Sequence, residues 1–335
     1  MRYALTTGLL FLMLLSVPSL IGATLVPSID LAALTRESSQ IIVGRITTVR
    51  EAGRVTVEWR GHSLPARRQI AEIQVTRSIK GQAEDNVAFQ LIRPDASSGY
   101  GDVTVKQFGI FFLKGNPNDG LTVTSPYYPS VIAALEAPSL SGDDLNKVIT
   151  EIVNALTSSG TSAADKVKAI ILLNQIRTSQ VTEELRKVAD NSDQTLRVHA
   201  VAALLNRNDI SRLETAEQLL SGTPAINDQY LLSNLAYALA NIRDSKAIPV
   251  LARLLKSRLL ETRRGAVEAL RSTGDSTAIK PLAGALDDSD SRVRYQAVMG
   301  LAEITRQDSM GPAIDLYGTN ESHYLEYWRN WARRQ

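Results

Sequence analysis

A repeat of about 31 residues dominates the carboxy-terminal half of this chain. Residues 166–170 (Lys-Val-Lys-Ala-Ile) align with residues 197–201 (Arg-Val-His-Ala-Val), and residues 263–267 align with residues 294–298, each pair offset by 31 positions. Leucines recur at the same interval: Leu239, Leu270 and Leu301. Repeats of this length mark arrays in which each unit buries its apolar face against its neighbours, because one unit alone cannot. The repeat predicts an α-solenoid.

Each repeat is expected to contain two helices. After Pro138, apolar residues recur at spacings of three and four, which is the period of an amphipathic helix. Asp244 and Asp275 have the side chain of an N-cap, and Gly274 predicts the end of the helix before it. Small residues share one position of the second helices, where they would let neighbouring layers approach closely: Ala169, Ala200, Ala266 and Ala297.

A sequence motif runs through the repeats. It is Asp-x-x-x-Arg-x-x-Ala-Val-x-x-Leu, as in residues 193–204 and 290–301, although Leu232 and Leu235 replace its arginine and alanine in one unit. Residues 141–335 resemble HEAT repeats, of the short kind also called phycobilisome-lyase HEAT-like, and the resemblance implies a stack of helix pairs. Aromatic residues in the last unit are expected to cap the stack: Tyr324, Tyr327, Trp328 and Trp331.

Residues from about 38 to 125 have a different period. Short runs are alternating or continuously apolar, with Gly, Pro and Asp between them, as in residues 40–49, 55–59, 70–79, 87–92, 109–113 and 121–123. Ala52 and Gly53 are expected to form the turn between the first two strands, and a short helix at about 30–35 to precede them. Several short strands without long helices predict a small β-barrel or sandwich.

Three segments carry a second resemblance: residues 39–46, 79–81 and 109–113. They resemble the small barrel domains of secreted bacterial proteins akin to the netrin-like and metalloproteinase-inhibitor (TIMP) fold. Inhibitors of that family reach the protease zinc with an amino-terminal cysteine. This chain contains no cysteine, so that activity is not carried over.

The first 23 residues have the pattern of a secretory signal peptide. Arg2 precedes an apolar run at residues 9–15, Pro18 breaks the run, and Ile21, Gly22 and Ala23 supply a cleavage site before Thr24. The alternative is an anchor helix that is retained. We therefore expect an exported protein, periplasmic or extracellular. The predicted organisation is a signal peptide at 1–23, a β-rich barrel-like domain at 24–137, a linker at 138–142, and a HEAT-like α-solenoid with a carboxy-terminal cap at 143–335.

Composition excludes several classes of function. The chain has 37 Lys and Arg against 35 Asp and Glu, without the basic excess that binding to nucleic acid needs. It lacks thiolate ligands, a phosphate-binding glycine loop, a nucleophile elbow and a His-Glu-x-x-His motif. Deoxyhypusine hydroxylase, an enzyme built on HEAT-like repeats, holds iron with His-Glu pairs, and no Glu follows His62, His199 or His323. We expect no cofactor, no metal and no catalytic residue.

Other polar and aromatic positions have structural interpretations. Acidic residues that open second helices, such as Asp193, with Arg197 four residues later, are expected to stabilise helix starts. The acidic group of Asp287, Asp288 and Asp290 is expected to cap helices instead of binding a cation, and Arg67 and Arg68 to lie in a solvated loop. Trp59, Tyr127 and Tyr128 are expected to pack at the junction of the two halves, with contact to a ligand as the alternative.

The leading hypothesis is an exported, non-enzymatic interaction or scaffold protein. Its partner would be a protein or peptide bound on the concave face of the solenoid, which second helices line in such arrays. The candidate contacts are the non-core residues of those helices: His199, Asn234, Tyr237, Glu268, Arg271, Gln296 and Met299. One alternative is an envelope enzyme or protease-inhibitor-like protein acting through the β domain. Another is an array that assembles with itself.

Overall fold

The computed structural model describes residues 28–335, except 60, 96–98, 117–119, 223–225 and 227. The predicted signal segment lies outside the described residues. A six-stranded sheet comes first in the chain and an array of helix pairs follows. The predicted fold class, a β-rich part followed by an α-solenoid, is confirmed. No helix among the described residues has both the length and the apolar character that crossing a membrane requires.

The β-rich part begins with one helix and contains six strands. These elements are α1 (Leu31–Glu37), β1 (Gln40–Trp59), β2 (His62–Lys80), β3 (Asn86–Pro94), β4 (Phe108–Asn116), β5 (Gly120–Val123) and β6 (Ser130–Val131). The strand order is β1-β2-β3-β5-β4-β6, and β1 also pairs with β4. The pairings therefore form a circuit from β1 through β2, β3, β5 and β4 back to β1. Among the described residues, only β3 and β5 pair in parallel, and β6 pairs with β4 alone.

The expected turn at Ala52 and Gly53 is wrong, because β1 continues through it. The register between β1 and β2 shifts between Glu51 and Arg54, and Gly53 adopts a φ of +115° there. Such a shift is a β-bulge, which adds a residue to one strand without ending it. Glycine marks an irregularity inside the strand at this point, and the two predicted strands are one.

The sheet is buried on both of its faces where β1 and β4 pair. Ile42 and Phe111 belong to a core that the strands enclose, whereas Ile41 and Phe112 belong to a second core shared with the helices. Successive side chains of a strand point to opposite faces, so a strand covered on both sides reads as a continuous apolar run. This explains the unbroken run at residues 110–113. The second core continues from the sheet through the helices to Trp328.

The helical array consists of five helix pairs and a closing helix. The first helices are α2 (Asp144–Thr157), α4 (Ser179–Val188), α6 (Leu213–Leu220), α8 (Ile248–Leu254) and α10 (Ile279–Ala285). The second helices are α3 (Ala163–Leu173), α5 (Gln194–Leu205), α7 (Gln229–Leu239), α9 (Leu260–Thr273) and α11 (Ser291–Thr305). The chain ends with α12 (Ile314–Ala332), whose Trp328 is fully buried and donates its indole N–H to the Met310 carbonyl at 3.0 Å.

Helix boundaries follow the local signals in the sequence. The Asp193, Asp228 and Asp290 side chains accept hydrogen bonds from backbone N–H groups in the first turns of α5, α7 and α11. These bonds satisfy donors that a helix start otherwise leaves free. Gly274 ends α9 in the left-handed conformation, with a φ of 63°. The arginine one turn after the cap does not bind its own aspartate: Arg197 donates to the Asn191 carbonyl instead.

The second helices pack against one another in an unbroken series. α3 contacts α5, α5 contacts α7, α7 contacts α9, and α9 contacts α11, whereas contacts between successive first helices are sparser. Gly265 shows how close α7 and α9 are, because a Cβ added there would lie 2.3 Å from the Ala236 carbonyl oxygen. The row of second helices is therefore the closely spaced side of the array.

The sheet and the array are joined by a buried ion pair. Arg77 of β2 donates from Nε and Nη2 to the two carboxylate oxygens of Glu151 in α2, at 2.6 and 2.5 Å. Its Nη2 also donates to the Ala134 carbonyl at 2.9 Å. The Glu151 side chain is completely buried and that of Arg77 is 11% exposed. The same two elements are joined by apolar packing, since α2 contributes Val148 and Ile152 to the core shared with the sheet.

Candidate site on the second helices

The predicted contact residues all lie on second helices. His199 is on α5, Asn234 and Tyr237 on α7, Glu268 and Arg271 on α9, and Gln296 and Met299 on α11. Tyr237 is 59% exposed and the other six are half-buried. We call this set, together with the exposed residues described next, the second-helix face.

The repeat position of Tyr237 continues to the first helix pair. Counting back by 35 and then 31 residues from Tyr237 leads to Ala202 and Ile171. Ile171 in α3 is 56% exposed, which is unusual for an isoleucine inside an apolar stretch. Sequence reasoning missed it, although the same alignment extended by one unit would have found it. Two large side chains with apolar surface thus occupy equivalent exposed positions on α3 and α7.

A second exposed tyrosine lies on the same helix. Tyr230 is 78% exposed and stands seven residues before Tyr237 in α7. Residues seven apart lie two turns apart on one face, about 10 Å along the axis. Asn234 lies between them on this face. Aromatic side chains on a rigid helix are the type of residue that most often anchors a protein interface. Tyr237 was predicted from the sequence as a contact residue, and Tyr230 was not.

Two predicted contact residues on neighbouring helices bind each other. Arg271 donates from Nη1 to the Gln296 Oε1 at 2.7 Å and from Nε to a Glu303 carboxylate oxygen at 2.8 Å. The hydrogen bond to Glu303 raises the pKa of Arg271, with a smaller contribution from the charge of Glu268. The guanidinium is therefore held and neutralised by its own chain. It presents a fixed ion pair to a partner instead of a free cation.

His199 is arranged as a neutral side chain. Burial on α5 lowers the pKa of His199, and the charge of Asp228 opposes this shift only in part. Desolvation disfavours the charged imidazolium. Within the ranges that the structure describes, no group of three or more His, Cys, Asp or Glu could hold a metal ion. Burial therefore makes the charged form of His199 less favourable, and its ring and hydrogen-bonding nitrogens are what it offers to an interface.

A groove of about 410 Å³ lies between the starts of α7 and α9. Its lining includes Leu232, Ser233 and Thr262. Thr262 is completely buried, and its hydroxyl has no hydrogen-bond partner among the described residues. The equivalent positions of three other repeats hold apolar residues, Leu196, Leu231 and Val293, whereas the first helix pair has Asp165 there. Thr262 is thus a buried polar group at a position that is apolar in those three units.

A second groove, of about 580 Å³, lies between the sheet and α3. We call it the junction groove. Its lining combines polar side chains, such as Thr104, Gln107 and Ser130, with apolar and aromatic ones: Phe108, Tyr128, Val131, Ile132, Ile171 and Leu172. The charged side chains of its lining, Asp165 and Lys168, bind each other at 2.8 Å. The groove therefore carries no net charge from its lining.

The aromatic residues expected at the junction occupy different positions. Tyr128 lines the junction groove and packs against the core shared by the sheet and helices. The Tyr127 ring meets that of Tyr100 edge to face, with centroids 5.1 Å apart. The side chain of Trp59 lies outside the described residues.

The charged groups noted in the sequence are paired within the chain. Asp288 accepts two hydrogen bonds from Arg263, and Asp290 accepts two from Arg264 in addition to capping α11. Asp287 pairs with Arg329. These contacts explain the acidic group as part of the links between successive helix layers. The expected loop at residues 67–68 is wrong, because both lie in β2, where Arg67 binds Asp95.

One family model matches part of the helical array. Residues 216–302, from α6 into α11, match the family model of HEAT repeats. The complex of CpcE and CpcF of a phycocyanin lyase from Nostoc shares 20% identity and a TM-score of 0.39, covering 54% of this chain and 72% of that one. A designed armadillo repeat protein in complex with a (KR)4 peptide shares 18% identity and a TM-score of 0.35, covering 54% and 99%.

A third similar structure is human deoxyhypusine hydroxylase in complex with glycerol, at 18% identity and a TM-score of 0.22, covering 58% of this chain and 85% of that one. No curated protein matches the sequence. The match of residues 216–302 supports the predicted HEAT repeats. The resemblance of the strands to the netrin-like fold stays a prediction.

Proposed function

We propose that this chain is a non-enzymatic scaffold that binds a protein or peptide partner through the second-helix face. The observation that carries the proposal is the exposure of Ile171 and Tyr237 at equivalent repeat positions, with Tyr230 on the same face as Tyr237. Large side chains with exposed apolar surface gain free energy when a partner covers them. Their repeat spacing places them in one row across the array.

The packing of the helices supports a concave shape for this face. Neighbouring second helices are in closer contact than neighbouring first helices. A stack that is tighter along one row curves towards that row, so the second helices are placed on the inner side. Extended concave surfaces of this kind are the binding surfaces of repeat proteins.

The charges of the face favour a protein over a polyanion. Three cations of the second helices are paired: Lys168 with Asp165, Arg264 with Asp290, and Arg271 with Glu303. Binding to a phosphate backbone requires cations that are free to replace its counterions. Aromatic, amide and paired charged groups are the mixture found at protein interfaces.

The surroundings of His199 support a role in binding and not in catalysis. A general base acts when it is within hydrogen-bond reach of the group it deprotonates and of a residue that orients it. The charge that influences the pKa of His199 is that of Asp228, and burial outweighs it. Among the described residues, this environment does not supply a catalytic pair of the kind that activates a nucleophile.

We further propose that the mature chain works outside the cytoplasm, in the periplasm or beyond it. The support is the pattern of residues 1–23, with Arg2 before an apolar run and a small residue at position 23. This proposal is tested by measuring the mass of the chain that is recovered from the cell envelope. A chain that begins at Thr24 is expected, and a full-length chain in the cytosol would contradict it.

The binding proposal is tested with paired variants and full-length mature protein. Tyr230→Ala combined with Tyr237→Ala removes the two exposed rings of α7. The matched control is Leu316→Ala, because Leu316 on α12 is 56% exposed. We expect a partner that is captured from envelope extract and then purified to bind the wild type and the Leu316 variant alike. The double tyrosine variant should bind it about tenfold or more weakly. Equal affinity for all three proteins would overturn the proposal.

A further inference from the structure

The junction groove has the edge of a sheet as one of its walls. β6 is the last strand in the sheet order and pairs only with β4, with Val131 opposite Ile110 and Ser130 opposite Phe111. In an antiparallel pair, alternate residues direct their main-chain N–H and C=O groups towards and away from the partner strand. One residue of β6 therefore directs both of its groups away from β4, as edge strands do.

This edge is held firmly in place. Gly109 of β4 lies directly against it, because a Cβ added there would be 2.5 Å from the Val131 carbonyl oxygen. Gly101 approaches Pro129 as closely, with 2.3 Å between an added Cβ and the proline Cδ. Gln107 donates from Nε2 to the Ser130 hydroxyl at 2.7 Å. An edge fixed in this way loses little conformational entropy when another strand binds to it.

The opposite wall of the groove is α3. Ile171 of α3 is 56% exposed and lines the groove together with Leu172, Phe108 and Tyr128. Since Asp165 and Lys168 neutralise each other at its rim, an occupant gains nothing from a net charge.

We propose that the junction groove binds an extended, uncharged segment of a partner protein by strand addition to β6. The segment forms main-chain hydrogen bonds with the open edge of β6 and places an apolar side chain against Ile171 and Tyr128. In this mode of recognition, main-chain bonds supply affinity and pockets for alternate side chains supply specificity. The junction groove shares Ile171 with the second-helix face, but its β6 edge and Tyr128 are not part of that face, and the tyrosines of α7 are not part of the groove, so either proposal can fail alone.

The test uses synthetic peptides and the intact mature chain. The probe is a fluorescently labelled, acetylated and amidated Thr-Ile-Thr-Val-Thr-Ile peptide, whose binding is measured by anisotropy. One control peptide replaces both isoleucines by aspartate. Two others carry N-methyl groups on one or the other alternate set of amides, which removes the hydrogen-bond donors from one edge of the strand at a time. Strand addition uses one edge, so we expect one N-methylated peptide to bind and the other to fail.

Variants of the protein locate the binding. Ile171→Asp should lower the affinity for the probe about tenfold or more. The more conservative Ile171→Ala should lower this affinity less. Tyr237→Ala should leave binding of the probe unchanged, because Tyr237 does not line the junction groove. Gly109→Ala should lower the affinity for the probe because it displaces β6. Circular dichroism should show that this variant keeps the fold.

Four results would overturn the inference: no binding of the probe, equal binding of both N-methylated peptides, equal binding of the aspartate peptide, or affinity that Ile171→Asp does not change. A fifth is self-association. If the chain alone sediments as a dimer that Ile171→Asp separates, the occupant is a second copy and not a partner segment.

Discussion

The guanidinium of Arg77 in β2 binds the carboxylate of Glu151 in α2 through two hydrogen bonds, although 74 residues separate them in the chain. Moving two charges out of water is expensive, and a buried ion pair often contributes less stability than apolar residues of similar size. The pair therefore contributes little net stability, but its two hydrogen bonds constrain the position of β2 relative to α2. It fixes where the sheet meets the first helix of the array.

Arg77→Ala should destabilise the protein by about 3–5 kcal/mol, because it leaves the Glu151 carboxylate buried without a counter-charge. Urea unfolding of the mature chain measures the change. Arg253→Ala is the matched control, since it breaks an ion pair with Glu217 in which the arginine is 54% exposed; its unfolding midpoint should stay close to that of the wild type. Combining Arg77→Met with Glu151→Leu should recover most of the loss. A single-variant effect as small as the control's would show that the pair is not a constraint.

Thr262→Val should stabilise the protein by about 1 kcal/mol, because it replaces a buried hydroxyl without a partner by a methyl group of similar size. Thr35→Val provides the comparison. Thr35 is also buried, but its hydroxyl donates to the Leu31 carbonyl at 2.7 Å, so its loss should bring no gain. Thermal unfolding of both variants decides the matter. A loss of stability in Thr262→Val would mean that the hydroxyl has a bound partner.

Gly265→Ala should destabilise the array, whereas Gly284→Ala should stabilise it. A Cβ at position 265 would collide with the Ala236 carbonyl oxygen and push α9 away from α7. A Cβ at position 284, inside α10, meets no atom within 4 Å. Alanine is favoured over glycine in an unobstructed helix by roughly 0.5–1 kcal/mol. Denaturant unfolding of the two variants should shift in opposite directions, and equal shifts would contradict the close packing of α7 and α9.

Stability should fall in acid partly because of His199. Burial lowers its pKa in the folded chain, so at pH values just below the ordinary histidine pKa of 6.5 the unfolded chain binds a proton that the folded chain does not. The contribution of neutral His199 to the free energy of unfolding is complete above pH 6.5. It is lost as the pH falls towards the pKa of His199 in the folded chain. His199→Gln should remove this part of the pH dependence. Unfolding curves between pH 7.5 and pH 5 measure it, and identical slopes for wild type and variant would refute the assignment.

Much of the helical array could be predicted because its signals are local. Asp290 caps α11 and Gly274 ends α9 through contacts within a few residues, and the repeat identifies equivalent positions without any knowledge of the fold. The same regularity predicts which helices carry the second-helix face. The same repeat position in the first helix pair is Ile171, which the predicted contact residues do not include.

Contacts between distant segments could not be predicted from the sequence. Gly53 reads equally well as a turn or a bulge, and only the pairing of β1 with β2 decides for the bulge. β6 is two residues long, too short for an alternating pattern to identify it. Arg294 could be assigned to its own helix cap, but it reaches Glu321 in α12 instead. Each of these outcomes depends on the partner that folding brings near.

The central claim, that the second-helix face binds a protein partner, is tested most directly by photo-crosslinking in the intact cell. A benzoylphenylalanine residue is incorporated in place of Tyr237 in one chain and in place of Leu316 in another, because both positions are more than half exposed. The account predicts one discrete adduct of higher mass from position 237 and none from position 316. Equal labelling at the two positions, or no adduct from position 237, would contradict it.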